Sequence, residues 1–131
     1  MKNIFSIISS SITTFVIYYL GGLDIALKIL ISFVILDYIT GLLKAIYNKK
    51  LNSNVGAKGI IKKLGYFILV AVAFKLDQLT GNSGAIRTLV IYFFVANEGL
   101  SIIENWGKMG LPLPQKLIDV LEQLRNNKGD E

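Results

Sequence analysis

The chain has 131 residues, of which 53% are hydrophobic and 18% charged, and its mean hydropathy is +0.55. A soluble domain of this length needs polar residues spread along the chain to cover its surface; here the charges bunch between long apolar runs, which excludes an ordinary soluble globule. Cysteine and histidine are both absent, which removes thiolate nucleophiles, zinc–thiolate sites and the usual general base, so no enzyme, metal site or cofactor is expected.

A bilayer core about 30 Å thick needs roughly 20 apolar residues per helix, with about 17 as the floor. The first candidate span, residues 4–20, carries no charge and is stopped by Gly21, Gly22 and Asp24. Lys2 ahead of it resembles the start of a secretory leader, but Tyr18-Tyr19-Leu20-Gly21-Gly22 lacks the small-x-small cleavage pattern, so a retained span is expected. The glycines permit a tight helical hairpin. The second span, residues 25–47, is apolar except for Lys28, Asp37 and Lys44. Next comes a polar loop in which Lys44, Lys49, Lys50, Lys58, Lys62 and Lys63 occur with no acid among them, which reads as cytoplasmic by the positive-inside rule. Gly56 and Gly59 around Lys58 do not match the spacing of a phosphate loop; contact with anionic lipid is the better use of these lysines.

The third span, residues 64–80, carries Lys75 and Asp77, and the fourth, residues 85–103, carries Arg87, Asn97 and Glu98. Trp106 follows it directly, where an indole anchors at the interface. Pro112 and Pro114 interrupt the helix. Leu117, Ile118, Leu121 and Leu124 then recur at helical spacing, which predicts a short amphipathic helix over 114–126, lying on the inner membrane face or packing on the protein. Residues 126–131 read as a polar, frayed end.

The expected fold is therefore an all-α membrane protein, one domain over 1–131, with about four transmembrane helices, both termini inside, and the tail helix. On this topology the inner side holds eleven basic residues and the outer side three, Lys28, Lys75 and Arg87, each near enough to a helix end to snorkel to the headgroups. A net charge of +5 from twelve lysines and two arginines then reads as membrane orientation, with no nucleic-acid partner expected.

An ionisable residue inside a span is a functional hypothesis by default, which singles out Asp37 and Glu98. At 1.5 Å per residue they lie about 18 and 20 Å from the outer ends of spans that run the same way. Lys44 and Glu104 both come out near 28 Å and are placed to pair. Asp37, Thr40, Gly41 and Lys44 share one helical face; Asn97, Ser101, Glu104 and Asn105 share another, with Glu98 at its edge. Two polar stripes on apolar cylinders can line water in an assembled pore, hydrogen-bond to each other as helix glue, or relay protons. A third stripe, Ser6, Ser9, Ser10, Thr13 and Thr14 on the first helix, reads as a packing face.

Three stretches occur in an order and spacing that resemble the phage-lysis and toxin-secretion holin family of Gram-positive bacteria and their phages. They are Asp37-Tyr38-Ile39-Thr40-Gly41, the basic loop through Gly59-Ile60-Ile61-Lys62-Lys63, and Ala96-Asn97-Glu98-Gly99-Leu100-Ser101-Ile102-Ile103-Glu104-Asn105, continuing into Gly110-Leu111-Pro112-Leu113-Pro114. The match runs over roughly residues 25–125. It implies a multi-pass protein of the bacterial cytoplasmic membrane that homo-oligomerises into large lesions and lets an endolysin, or a toxin in related systems, pass. No reaction is catalysed. An antiholin partner is implied as well, and an antiholin role for this chain, or a small ion channel or transporter, are the alternatives. Single molecules are then expected to hide the two stripes against each other, with Asp37 or Glu98 protonated, until crowding turns the stripes toward water.

Overall fold

A computed structural model describes residues 2–126, and among them the chain is entirely helical: α1 (Lys2–Tyr19), α2 (Ile25–Tyr47), α3 (Ser53–Thr80), α4 (Ala85–Lys108) and α5 (Gln115–Asn126). Lys128 and the expected polar end beyond residue 126 lie outside the described residues.

Local chemistry sets each boundary. α1 ends where Gly21 and Gly22 take φ of 88° and 103°, values that suit glycine alone. A side chain at Gly21 would also collide, since a Cβ there would stand 2.7 Å from Phe74 and 2.8 Å from Arg87. The Asp24 carboxylate starts α2 by accepting from the Leu27 N–H at 3.0 Å, an N-cap worth about 1 kcal/mol. Asn52 does the same for α3, accepting from Asn54 N–H at 2.9 Å. Gly81, at φ 72°, closes α3. α4 has no cap of its own; its first N–H groups, on Ile86 and Arg87, donate to Asp77 of α3 at 2.9 and 2.8 Å.

α4 is the centre of the molecule, with α2, α3 and α5 packed on it. Arg87 meets Asp24 at one end and Asn105 meets Asp37 farther along, so α2 and α4 run parallel. α3 runs against them, since its Asp77 meets the start of α4 and its Lys63 the second half. Leu27, Leu30, Val70 and Ile91 are fully buried where the three helices meet, and Tyr66 stacks on Phe94 at 4.2 Å. α2 and α3 do not pack closely on each other, and α1 is exposed along nearly its whole length, meeting the bundle at its end, where the Lys75 ammonium stands 4.7 Å from the Tyr19 ring.

The exterior is apolar. Ile29, Ile35, Leu36, Ile39, Leu42 and Leu43 on α2 and Ile68, Leu69, Val72 and Leu76 on α3 are all exposed. Two helices, α2 and α4, are long and apolar enough to cross a bilayer, and only 17% of the most apolar stretch of α2 is buried, unlike the core helix of a soluble protein. Of the four expected spans these two meet the requirement. α1 is a shorter apolar helix from Asn3 to Tyr19, and α3 is long but basic in its first turns.

Three expectations are corrected. The polar loop after Lys44 is short: α3 begins at Ser53, eleven residues before Leu64, because Asn52 caps it and the interior glycines do not break it, so Lys58, Lys62 and Lys63 are helical. Arg87 does not snorkel; it is buried among backbone carbonyls and Asp24. Lys44 and Glu104 form no pair, since the ion pairs among the described residues are those of Lys63 and Arg87. Of the two positions open to the tail helix, it takes the one on the protein: Leu121 of α5 is buried on Gly99 of α4.

Candidate functional site

The two polar stripes converge, and a lysine closes them. Asp37 sits on the face of α2 that meets α4. Glu98 and Asn105, seven residues apart, share the face of α4 that looks back at it. All three are buried, with 8%, 2% and 6% of their surfaces exposed. The Lys63 ammonium of α3 donates to Asp37 Oδ2 at 2.5 Å and also to Glu98 Oε2. The Asn105 side-chain amide donates to Asp37 Oδ1 at 3.0 Å and to Thr40 Oγ1 at 3.1 Å. The Thr40 hydroxyl in turn donates to the Asp37 carbonyl at 3.1 Å. Gly41 borders the cluster, where a Cβ would stand 3.6 Å from the Asn105 amide.

Two carboxylates thus share one ammonium among three helices. Removing one partner of a buried pair costs about 3–5 kcal/mol. Every buried side-chain nitrogen and oxygen among the described residues has a partner, so the hydrogen bonding of the cluster is satisfied within one chain. These polar links bridge α2, α3 and α4.

Of the remaining stripe residues, Lys44 and Ser101 line a cavity of about 930 Å³ that opens beside the cluster, together with Lys50. Asn97 and Glu104 face other sides of α4, half-buried and exposed. Lys49, Lys58 and Lys62 are exposed. The residue that the sequence pattern misassigns is Lys63, grouped with the basic loop. Its signal was available: Lys63, Tyr66, Val70 and Asp77 follow helical spacing on one face of α3, the face that α4 covers.

A second polar assembly holds the opposite end. Arg87 donates through Nε to the Leu20 carbonyl at 2.6 Å, through Nη1 to Asp24 Oδ2 at 2.7 Å and through Nη2 to the Gly22 carbonyl at 2.9 Å. The fork of Arg is suited to such multiple donation. Hydrogen bonding from Arg87 holds the Asp24 carboxyl below its usual range. This clamp ties the α1–α2 hairpin to α4, while Asp77 ties α3 to the same turn.

Comparison with known proteins bears on what the arrangement is for. The chain is 42% identical over 132 residues to an uncharacterized 14.9 kDa protein in the nagH 3′ region of Clostridium perfringens, covering 98% of this chain and all of that one. It is 40% identical to an uncharacterized Listeria innocua protein over 87% of this chain and 81% of the other, and 32% identical to the uncharacterized protein YtkC of Bacillus subtilis over 95% and 92%. No solved structure matches. The family model described as the bacteriophage holin family, which is not an enzyme family, matches residues 14–126, across the clamp, the Lys63 cluster and the tail helix: the chain is a membrane protein and belongs to the bacteriophage holin family.

Proposed function

We propose that this protein is a holin that accumulates in the bacterial cytoplasmic membrane as a closed monomer and, at a set density, assembles into lesions large enough to pass a folded endolysin. In this reading it crosses the membrane four times with both termini inside, α1 and α3 completing the set begun by α2 and α4. The observation that carries the proposal is the Lys63–Asp37–Glu98 cluster, satisfied within one chain yet surrounded by a lipid-facing apolar belt.

A closed cluster makes the single molecule harmless, because the carboxylates of Asp37 and Glu98 are paired inside it and do not face lipid. The same groups supply the interior of an assembly. When chains crowd, a carboxylate of one molecule can take a lysine of another, and the exchange conserves ion pairs while turning the stripes of α2 and α4 toward water. Arg87 holds the opposite end of the bundle during this rearrangement, so opening starts at the Lys63 level.

Expression in a bacterium with and without a cytoplasmic endolysin tests the reading. Abrupt loss of turbidity only with endolysin is expected. Lysis without endolysin, or passage of ions with retention of folded protein, would point to a different class of membrane protein, and a chain that delays a second holin would be an antiholin.

A further inference from the structure

Between α2 and α3 lie two adjoining cavities that share lining residues. The inner part, about 230 Å³, is walled by Val34, Ile35 and Tyr38 from α2 and by Ile60, Leu64 and Phe67 from α3. The outer part is the cavity of about 930 Å³, lined by Lys44, Lys50, Asn48, Asn52 and Ser53, with Ser101 and Asn105 of α4 on its other wall, a volume in the range of ligand pockets, roughly 300–1,000 Å³. Tyr38, Ile60 and Lys63 border both parts. Three lysines and one acid, Asp37, line the outer part. The Asp37 carboxylate is already engaged by Lys63 and Asn105, whereas Lys44 and Lys50 take part in no ion pair among the described residues. An apolar slot adjoining a chamber that bears two ammonium groups outside those ion pairs matches one chemical shape: an acyl chain attached to an anionic headgroup.

We propose that this groove binds one anionic phospholipid, its phosphate held by Lys44 and Lys50 and an acyl chain laid between α2 and α3 against Tyr38, Ile60 and Leu64. The proposal rests on the membrane reading above, with the α2–α3 link at the inner face. Basic pockets between transmembrane helices on that face are suited to such headgroups. The charge complementarity favours lipid over a second copy of the chain, whose own facing surfaces in this region are basic. A bound lipid would wedge α2 and α3 apart beside the Lys63 cluster, coupling the anionic lipid content of the membrane to the stability of the closed form.

The test uses the full chain with Trp106→Phe and a single reporter, Tyr38→Trp in one version and Phe67→Trp in the other, each checked for unchanged helix content. Vesicles of phosphatidylcholine carry a minor share of brominated phosphatidylglycerol or of brominated phosphatidylcholine, and tryptophan quenching is read. Both reporters are expected to prefer the anionic lipid by about fivefold for each engaged lysine, and Lys44→Gln with Lys50→Gln should bring the preference to near one. Equal quenching by the two lipids overturns the proposal. So does a preference abolished by added inorganic phosphate, which makes a free anion the ligand, or quenching relieved by raising protein density, which seats a second copy in the groove. Lysis retained by a chain that shows no preference sinks the lipid site alone; reporters that no brominated lipid reaches would sink the membrane reading beneath it.

Discussion

Lys63 is one positive charge between two carboxylates, and its removal has a definite sign. With Lys63→Met, Asp37 and Glu98 face each other as like charges, and the closed form loses about 3–5 kcal/mol. The expected outcome is lysis at a shorter interval for equal membrane accumulation, measured by turbidity beside an immunoblot. Adding Asp37→Asn and Glu98→Gln should restore part of the delay by removing the repulsion. An interval unchanged in all these variants would show that the cluster does not set timing. At the other end, Asp24 has a lowered pKa, so the stabilisation from its Arg87 pair is fully present above the unfolded value near 3.8 and fades only as pH falls through the still lower folded value. External pH between about 7 and 5 should therefore leave the clamp and the lysis interval unchanged. Asp37, Thr40, Glu98 and Asn105 were legible from helical spacing alone. Lys63 shares a face with Tyr66, Val70 and Asp77 but is masked by its neighbours, because a run of lysines beside a polar segment reads as a solvated loop when the helix carrying it is not known to start early. The Lys44–Glu104 pairing failed for a related reason: equal depth says nothing about azimuth, and Glu104 turns away from α2.

At the scale of elements, α5 is held by a contact that only glycine allows. A Cβ on Gly99 would stand 2.7 Å from Leu121, within a packed contact between α4 and α5. Gly99→Val is expected to undock α5 and speed tryptic cleavage after Lys116 in membranes opened to the protease. Gly65→Ala, where nothing lies within 4 Å, should leave the cleavage rate as it is and favours the helix by about 1 kcal/mol. The helix count and the bounds of α2 were readable, since apolar runs and Gly or Asp stops dominate there. The start of α3 was hidden because Gly56 and Gly59 carry a loop signal, and the Asn52 cap that outweighs it is a single residue. That Asp77 caps α4 from another helix was out of reach, because such a cap needs the tertiary arrangement that it helps to define.

For the whole molecule, the two polar assemblies lie at different depths and hold one three-helix unit, while α1 remains outside it, joined through Leu20, Gly22 and Asp24 to Arg87. The proposed topology makes a direct prediction. A cysteine at Leu51, exposed in the α2–α3 link and sparing the Asn52 cap, should resist an impermeant thiol reagent in intact cells, whereas one at Asn82 should react. The reverse pattern would invert the molecule. Arg87→Gln should loosen α1 and the α2 start from α4 and weaken lesion formation, read as slower lysis at equal accumulation.

One consequence follows from the reach of a single side chain. On the proposed topology, counted back from Thr80 at 1.5 Å per residue, the Lys63 backbone lies about 26 Å from the outer end of α3, against about 18 Å for Asp37 on α2, so the ammonium climbs toward mid-membrane on its four-carbon stem. On that placement, the opposite rotamer points it toward the aqueous boundary. Rotamer exchange runs on picoseconds to nanoseconds when unhindered and longer when a buried pair must break, far below the minutes of a bacterial growth cycle. A lysis clock built on this cluster therefore counts encounters between chains: its period should shorten with faster synthesis and respond little to solvent viscosity.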